Sequence, residues 1–186
     1  MRISATRTLP FLGALLLAGR SVQAQTYTPS YDFPHRTQVV AVYLGASFCV
    51  ACVQPEFKQA MTQMAPELKQ VADRSGRDFA TIGVSLDWDV DSGIAFLKPV
   101  TQYDEIVVGS NWINSAVARL IWADSSTTPS LPQVVLIERQ VDAGARVSIK
   151  ERVIGRYVGG DEIQRWIRQG TPLPTTPSPA GARPGS

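Results

Sequence analysis

Cysteine and histidine are scarce in this chain: two of the first and one of the second in 186 residues. A structural zinc site takes about four Cys or His ligands, and Cys49, Cys52 and His35 are too few to build one. Covalent haem attachment places a His directly after the second cysteine; Val53 stands there. Apolar runs long enough to span a bilayer comfortably are missing too. Acidic residues are absent from the first 24 positions, which hold three of the 18 basic residues, Arg2, Arg7 and Arg20. Without those three, the remaining 15 basic residues face 16 acidic ones, a net charge of −1. No basic field is left to suggest nucleic acid or a membrane surface as partner.

What the first 24 residues do contain is the pattern of a secretory signal. Arg2 and Arg7 charge the start, Leu9 to Ala18 form a short apolar core, and Val22-Gln23-Ala24 offers a small-residue cleavage site. An uncleaved anchor is the competing reading of the same segment. No cysteine lies at the cleavage site to take a lipid. Cleavage before Gln25 predicts a periplasmic or otherwise exported protein in an oxidising compartment. The expected organisation is a signal peptide over 1–24, an extended lead-in over 25–38, one domain over 39–170 and a disordered tail over 171–186. That tail carries Pro172, Pro174, Pro177, Pro179 and Pro184 among small residues, too little apolar surface to order itself. His35 lies in the lead-in and is expected to be exposed.

The domain is organised around Val39 to Cys52, VVAVYLGASFCVAC. An apolar, β-branched run leads into small residues and then both cysteines, which predicts a buried strand ending in a Cys-X-X-Cys pair. From Cys52 to about Ala72, Phe57, Met61, Met64 and Leu68 recur at helical spacing. Pro66 is expected to divide that helix near Ala65. A staple between residues three apart closes a tiny loop and constrains the unfolded chain least, so the spacing favours thiol chemistry over stapling.

Further along, Phe79 to Leu86 predicts a second strand. Asp87, Asp89 and Asp91 alternate, but a calcium loop counted from Asp87 needs Gly and Glu where Ser92 and Lys98 stand. Solvated acids, with Asp91 capping a short helix, are the expectation. Tyr103 to Val108 reads as a brief extended piece, and a helix capped by Ser110 or Asn111 runs to about Trp122. Gln133 to Arg139 is the third strand. A turn at Asp142-Ala143-Gly144 leads to a return strand, Arg146 to Val158, with a bulge at Gly155. Asp161 caps a last helix bearing Ile163, Trp166 and Ile167.

Three segments carry a resemblance. Gly45-Ala46-Ser47-Phe48-Cys49-Val50-Ala51-Cys52, Ile82-Gly83-Val84-Ser85-Leu86-Asp87 and Leu131-Pro132-Gln133-Val134-Val135-Leu136 resemble exported TlpA/ResA-like thioredoxin proteins. The resemblance covers about Val39 to Arg168. It implies an α/β, thioredoxin-like fold in a single domain, a central mixed sheet flanked by helices. It also implies thiol-disulfide exchange with exported protein substrates and an unidentified redox partner; a monomer with no cofactor and no metal is expected. Cys49 is then the nucleophile and Cys52 the resolving cysteine. In that family the proline entering the third strand is cis, so Pro132 is the implied counterpart, with Leu131 offering its backbone to substrate. Trp88, after the carboxyl end of a strand, is a candidate for the substrate groove.

The chain also departs from the pattern. Thioredoxins carry a buried acid six residues before the first cysteine, where this chain has Tyr43; Val50-Ala51 separates the cysteines, and Phe48 stands where Trp is common. Two uncharged residues between the cysteines favour a reductant-like role over a strong oxidant. A static disulfide in a binding or assembly module is the first alternative. A peroxidase or metallochaperone is the second, disfavoured because the cysteines are one residue too close for the known copper motif and His35 precedes them.

Overall fold

The computed structural model describes residues 36–143 and 147–174. The proposed signal segment, His35, Gly144 of the predicted turn, Arg146 at the start of the predicted return strand, and the tail beyond Pro174 lie outside the described residues. Among the described residues, no helix is long and apolar enough to cross a membrane.

Five strands form one sheet in the order β3-β2-β1-β4-β5. β1 (Arg36–Gly45) is central and pairs in parallel with β2 (Asp78–Ser85), which pairs in parallel with β3 (Glu105–Val107). On the other side β1 pairs antiparallel with β4 (Gln133–Ala143), and β4 with β5 (Val147–Val158). A mixed sheet with this order, helices on both faces and a Cys-X-X-Cys after the central strand is the thioredoxin-like fold that the sequence implied.

The continuous apolar run of β1 follows from having both faces covered. Ala41 and Tyr43 point to one face, into a cluster with Cys52, Phe57, Met61, Met64 and Leu68. Val40, Val42 and Leu44 point to the other, against Ala116, Val117, Leu120 and Ile121. Each large side chain fully buried in this way contributes about 1.5–3 kcal/mol.

Helices depart from the predicted boundaries in instructive ways. The turn after β1 enters a single helical turn, α1 (Val50–Val53), capped by Cys49. Gln54 then adopts an extended backbone, and the long helix α2 (Pro55–Arg74) starts afresh with Pro55 in its first turn. Pro66 does not divide α2. Pro66 and Thr62, whose carbonyl a proline cannot serve, are both exposed, so water can replace the missing donor.

The helix α3 (Val90–Leu97) is capped by Asp89, not Asp91: Asp89 Oδ1 accepts the Ser92 N–H at 2.8 Å. Asp91 instead occupies the first turn, where its charge complements the helix dipole. The predicted helix to Trp122 breaks into a 3-10 turn (Asn111–Ile113), a short α4 (Ser115–Val117) and a π-helical turn (Ala118–Trp122). Its cap is Asn114, whose Oδ1 accepts the Val117 N–H at 2.9 Å, because Ser110 and Asn111 adopt left-handed backbone angles. The last helix, α5 (Gly160–Arg168), is entered through Gly159 at φ 89° rather than capped by Asp161. The irregularity in the β4–β5 ladder inserts Ile154, adjacent to the predicted Gly155. Residues 171–174 continue against the domain: Thr171 is buried, and Trp166 Nε1 donates to the Pro172 carbonyl at 3.1 Å.

Candidate redox site

All of the candidate site residues fall at one end of the sheet, and the register explains why. Gly45, the last residue of β1, pairs with Ser85, the last residue of β2. Leu44 pairs with Gln133, the first residue of β4. The Cys segment therefore leaves the sheet beside the Asp87-Trp88 segment and beside Leu131-Pro132.

Cys49 and Cys52 form a disulfide with Cα atoms 5.2 Å apart. The turn that presents them is closed by Cys49 N–H donating to the Ala46 carbonyl at 3.2 Å. Cys49 Sγ accepts the Cys52 N–H at 3.2 Å. The two sulfurs are inequivalent: Cys49 is partly exposed, whereas Cys52 is 1% exposed and belongs to the core cluster under α2. An incoming thiol or disulfide can reach only the first. Because Gln54 separates α1 from α2, the helix behind Cys49 is four residues long. The sulfur therefore faces local N–H groups at the start of a single helical turn rather than the end of the twenty-residue α2.

Leu131 is partly buried and packs, like Cys49, against the clusters of both faces. The Leu131–Pro132 peptide bond is cis. Pro132 is buried, and its carbonyl accepts the Gly159 N–H at 2.8 Å. The loop entering β4 is held by Gln133, which is fully buried. Its Nε2 donates to the Ser130 and Thr128 carbonyls at 2.9 and 3.1 Å, and its Oε1 accepts from Arg156 at 2.8 Å. Arg156 also donates to the Leu120 carbonyl at 2.8 Å. Sequence reasoning missed this brace, since a Gln opening a strand carries no signal of its own.

Trp88 is 71% exposed, and its carbonyl accepts the Ser110 N–H at 3.2 Å. Phe48 and Val50 are also exposed, at 57% and 74%. Three exposed apolar side chains thus lie at this end of the sheet, two of them next to Cys49 in the chain. Asp87, expected to be solvated, is buried at 4% exposure. Its carboxylate is bound by Ser47 and Ser85. The signal that could have found it is the two-residue step Ser85-Leu86-Asp87, which continues the strand alternation inward.

Tyr43 belongs to the same core cluster as Cys52. It is 1% exposed, its ring lies 6.2 Å from those of Phe57 and Phe96, and its hydroxyl has no partner among the described residues. Gly45 makes room for it: a Cβ there would collide with Tyr43 Oη and lie 2.9 Å from Phe96 Cζ. The Tyr103 hydroxyl is likewise buried without a partner among the described residues. Burial pushes both phenols up, with Tyr43 adding a repulsive contribution at Tyr103.

That shift makes a prediction. Above pH ~10 an unfolded chain releases these two protons, while the folded chain keeps them. The folded state then binds more protons, so stability falls as pH rises, by about 1.4 kcal/mol per pH unit for each group. Denaturant melts between pH 9 and 11 should show this fall, and Tyr43→Phe should remove about half of it.

No grouping of three or more His, Cys, Asp or Glu residues placed to hold a metal occurs among the described residues.

No family model matches this chain, and no curated protein matches it. Among solved structures, it is similar to a candidate thiol:disulfide interchange protein DsbE from Chlorobium tepidum, at 18% identity over 72% of this chain and 77% of that one, with a TM-score of 0.39. A secreted Mycobacterium tuberculosis disulfide oxidoreductase homologous to E. coli DsbE gives 16% identity over 70% and 81%, with a TM-score of 0.26. BsSco, of the Sco family of cytochrome c oxidase assembly proteins, gives 16% identity over 72% and 80%, with a TM-score of 0.34.

Proposed function

We propose that this chain is an exported, reductant-like thiol-disulfide oxidoreductase working through Cys49 and Cys52. The observation that carries the proposal is the inequivalence of the two sulfurs: one is reachable from solvent at the sheet end, and the other is sealed one turn away in the core.

In the reduced protein the Cys49 thiolate attacks one sulfur of a substrate disulfide. A bond forms between Cys49 Sγ and that sulfur, and the second substrate sulfur leaves and takes a proton. Cys52, as thiolate, then attacks Cys49 Sγ, closes the protein disulfide and releases the first substrate sulfur, which is protonated in turn. Two electrons and two protons pass from protein to substrate, and a dithiol reductant restores Cys49 and Cys52. Leu131 and the edge of Pro132 would align an extended substrate backbone beside Cys49. Phe48, Val50 and Trp88 would receive the apolar residues that flank its cysteine. Val50-Ala51 places no charge between the two cysteines to stabilise a thiolate, which favours the reducing direction. The apolar core and charge-free middle of the leader support export.

The second reading is a static disulfide in a binding or assembly module. Tyr43 favours it, since a phenol held protonated takes the place of an acid that assists Cys52. Turnover separates the two. With dithiothreitol as electron supply, the proposal predicts insulin reduction well above the rate of dithiothreitol alone; a rate equal to that background supports the static module.

A further inference from the structure

The thiol exchange above uses no carboxylate, yet one is buried at the base of the Cys49 turn. Asp87 Oδ1 accepts the Ser47 hydroxyl at 2.5 Å. Asp87 Oδ2 accepts the Ser85 hydroxyl at 2.5 Å and the Ser47 N–H at 3.2 Å. The Asp87 N–H donates back to Ser85 Oγ at 3.1 Å. Around this knot, Leu86 N–H donates to the Gly45 carbonyl at 2.8 Å, and Asn114 Nδ2 donates to the Ser85 carbonyl at 3.3 Å.

Two features set Asp87 apart from a structural brace. First, every donor to its carboxylate is a hydroxyl or an amide. No ion pair among the described residues includes it. Burying an unpaired charge is costly, and neutral donors offset only part of the cost. Second, Ser47 stands two residues before Cys49, inside the turn closed by the Cys49-to-Ala46 hydrogen bond. The carboxylate therefore holds the backbone that presents the reactive sulfur. Its bonds to Ser47 hold it two residues along the chain from Cys49; a like charge disfavours a second anion, so the same group weighs against the Cys49 thiolate and for the closed disulfide.

We propose that Asp87 is a positioning residue of the Cys49–Cys52 pair: it fixes the Ser47 turn that presents Cys49, and its buried charge makes the pair a stronger reductant. This rests on the exchange reading given above. The couple concerned is the two-electron one, protein disulfide plus two glutathione thiols against protein dithiol plus glutathione disulfide.

The test equilibrates wild type, Asp87→Asn and Ser47→Ala in glutathione buffers and counts free thiols by alkylation and mass. Asp87→Asn keeps the shape and loses the charge. It should shift the equilibrium about tenfold toward the dithiol, about 30 mV for two electrons. Ser47→Ala keeps the charge and loses the hydroxyl bond. It should leave the equilibrium within about twofold and lower kcat/KM for insulin reduction through kcat, as expected when a reactive group is misplaced. A structural brace would change melting temperature in both and neither of these readouts. Should Asp87→Asn not fold, Asp87→Ser, which keeps a hydroxyl toward Ser47, is read in the same way.

An equilibrium in the folded charge-free variant within twofold of wild type overturns the proposal. So does failure of both charge-free variants to fold while Ser47→Ala matches wild type. A wild-type pair that never opens overturns the exchange reading together with it, whereas a wild-type pair that opens and ignores Asp87 leaves that reading standing.

Discussion

Replacing Cys49 by Ser should abolish insulin reduction, leaving only the rate of the small-molecule dithiol, while Cys52→Ser should leave a protein that reacts once and stops. These opposite phenotypes follow from burial. The only sulfur an incoming disulfide can reach is that of Cys49, since Cys52 is 1% exposed beneath α2. In Cys52→Ser the first attack proceeds, but nothing resolves the mixed disulfide. Intact mass should then show one substrate thiol added per chain, removable by dithiothreitol. Cys52→Ser is nearly isosteric, so the trapped species should remain folded, which near-UV circular dichroism checks. If instead Cys52→Ser turns over and Cys49→Ser traps substrate, the assignment of roles is reversed and the burial argument fails.

Phe57→Ala should have the largest effect on stability. Phe57 is 1% exposed and stands where three elements meet: it lies on α2, its ring is 6.2 Å from that of Tyr43 on β1, and its Cδ2 is 3.7 Å from the space above Gly160 at the start of α5. Truncating a buried Phe costs about 3–5 kcal/mol through lost transfer energy and the cavity left behind. That is a large share of the ~5–15 kcal/mol that holds a domain of this kind together. Denaturant titration of the oxidised protein should show the midpoint drop with little change in slope. A cost below about 1 kcal/mol would mean that α2 and α5 collapse onto the gap and that Phe57 does not join the elements as described.

The legible parts of the fold were those written as periodicity. The run Val39 to Leu44, the helical step of Phe57, Met61, Met64 and Leu68, and the alternation after Arg146 each gave an element of the right kind. The proline before β4 and the spacing of the cysteines fixed which end of the sheet to inspect. What the sequence could not show were choices made by tertiary contacts. Pro66 was expected to break α2, but its exposed side needs no partner from the protein. The helix to Trp122 was expected to be regular, whereas Asn114 is drawn inward to cap it while bonding the Ser85 carbonyl at 3.3 Å. In sequence Asp87 looks like a solvated acid because acids alternate there. Only the pairing of Gly45 with Ser85 brings Ser47 over it. Gln133 and Arg156, 23 residues apart, likewise become a brace only once β4 and β5 are paired.

The proposed chemistry stands or falls on whether the Cys49–Cys52 disulfide opens in the folded protein. Redox titration in glutathione and dithiothreitol buffers, with alkylation of free thiols at each point, measures this directly. A working dithiol of reductant character should open in one two-electron step with a midpoint between about −200 and −290 mV, the region occupied by thioredoxin and glutaredoxins, with near-UV circular dichroism preserved. A pair that stays closed below about −300 mV, as structural disulfides do, or that opens only as the fold is lost, would contradict the account.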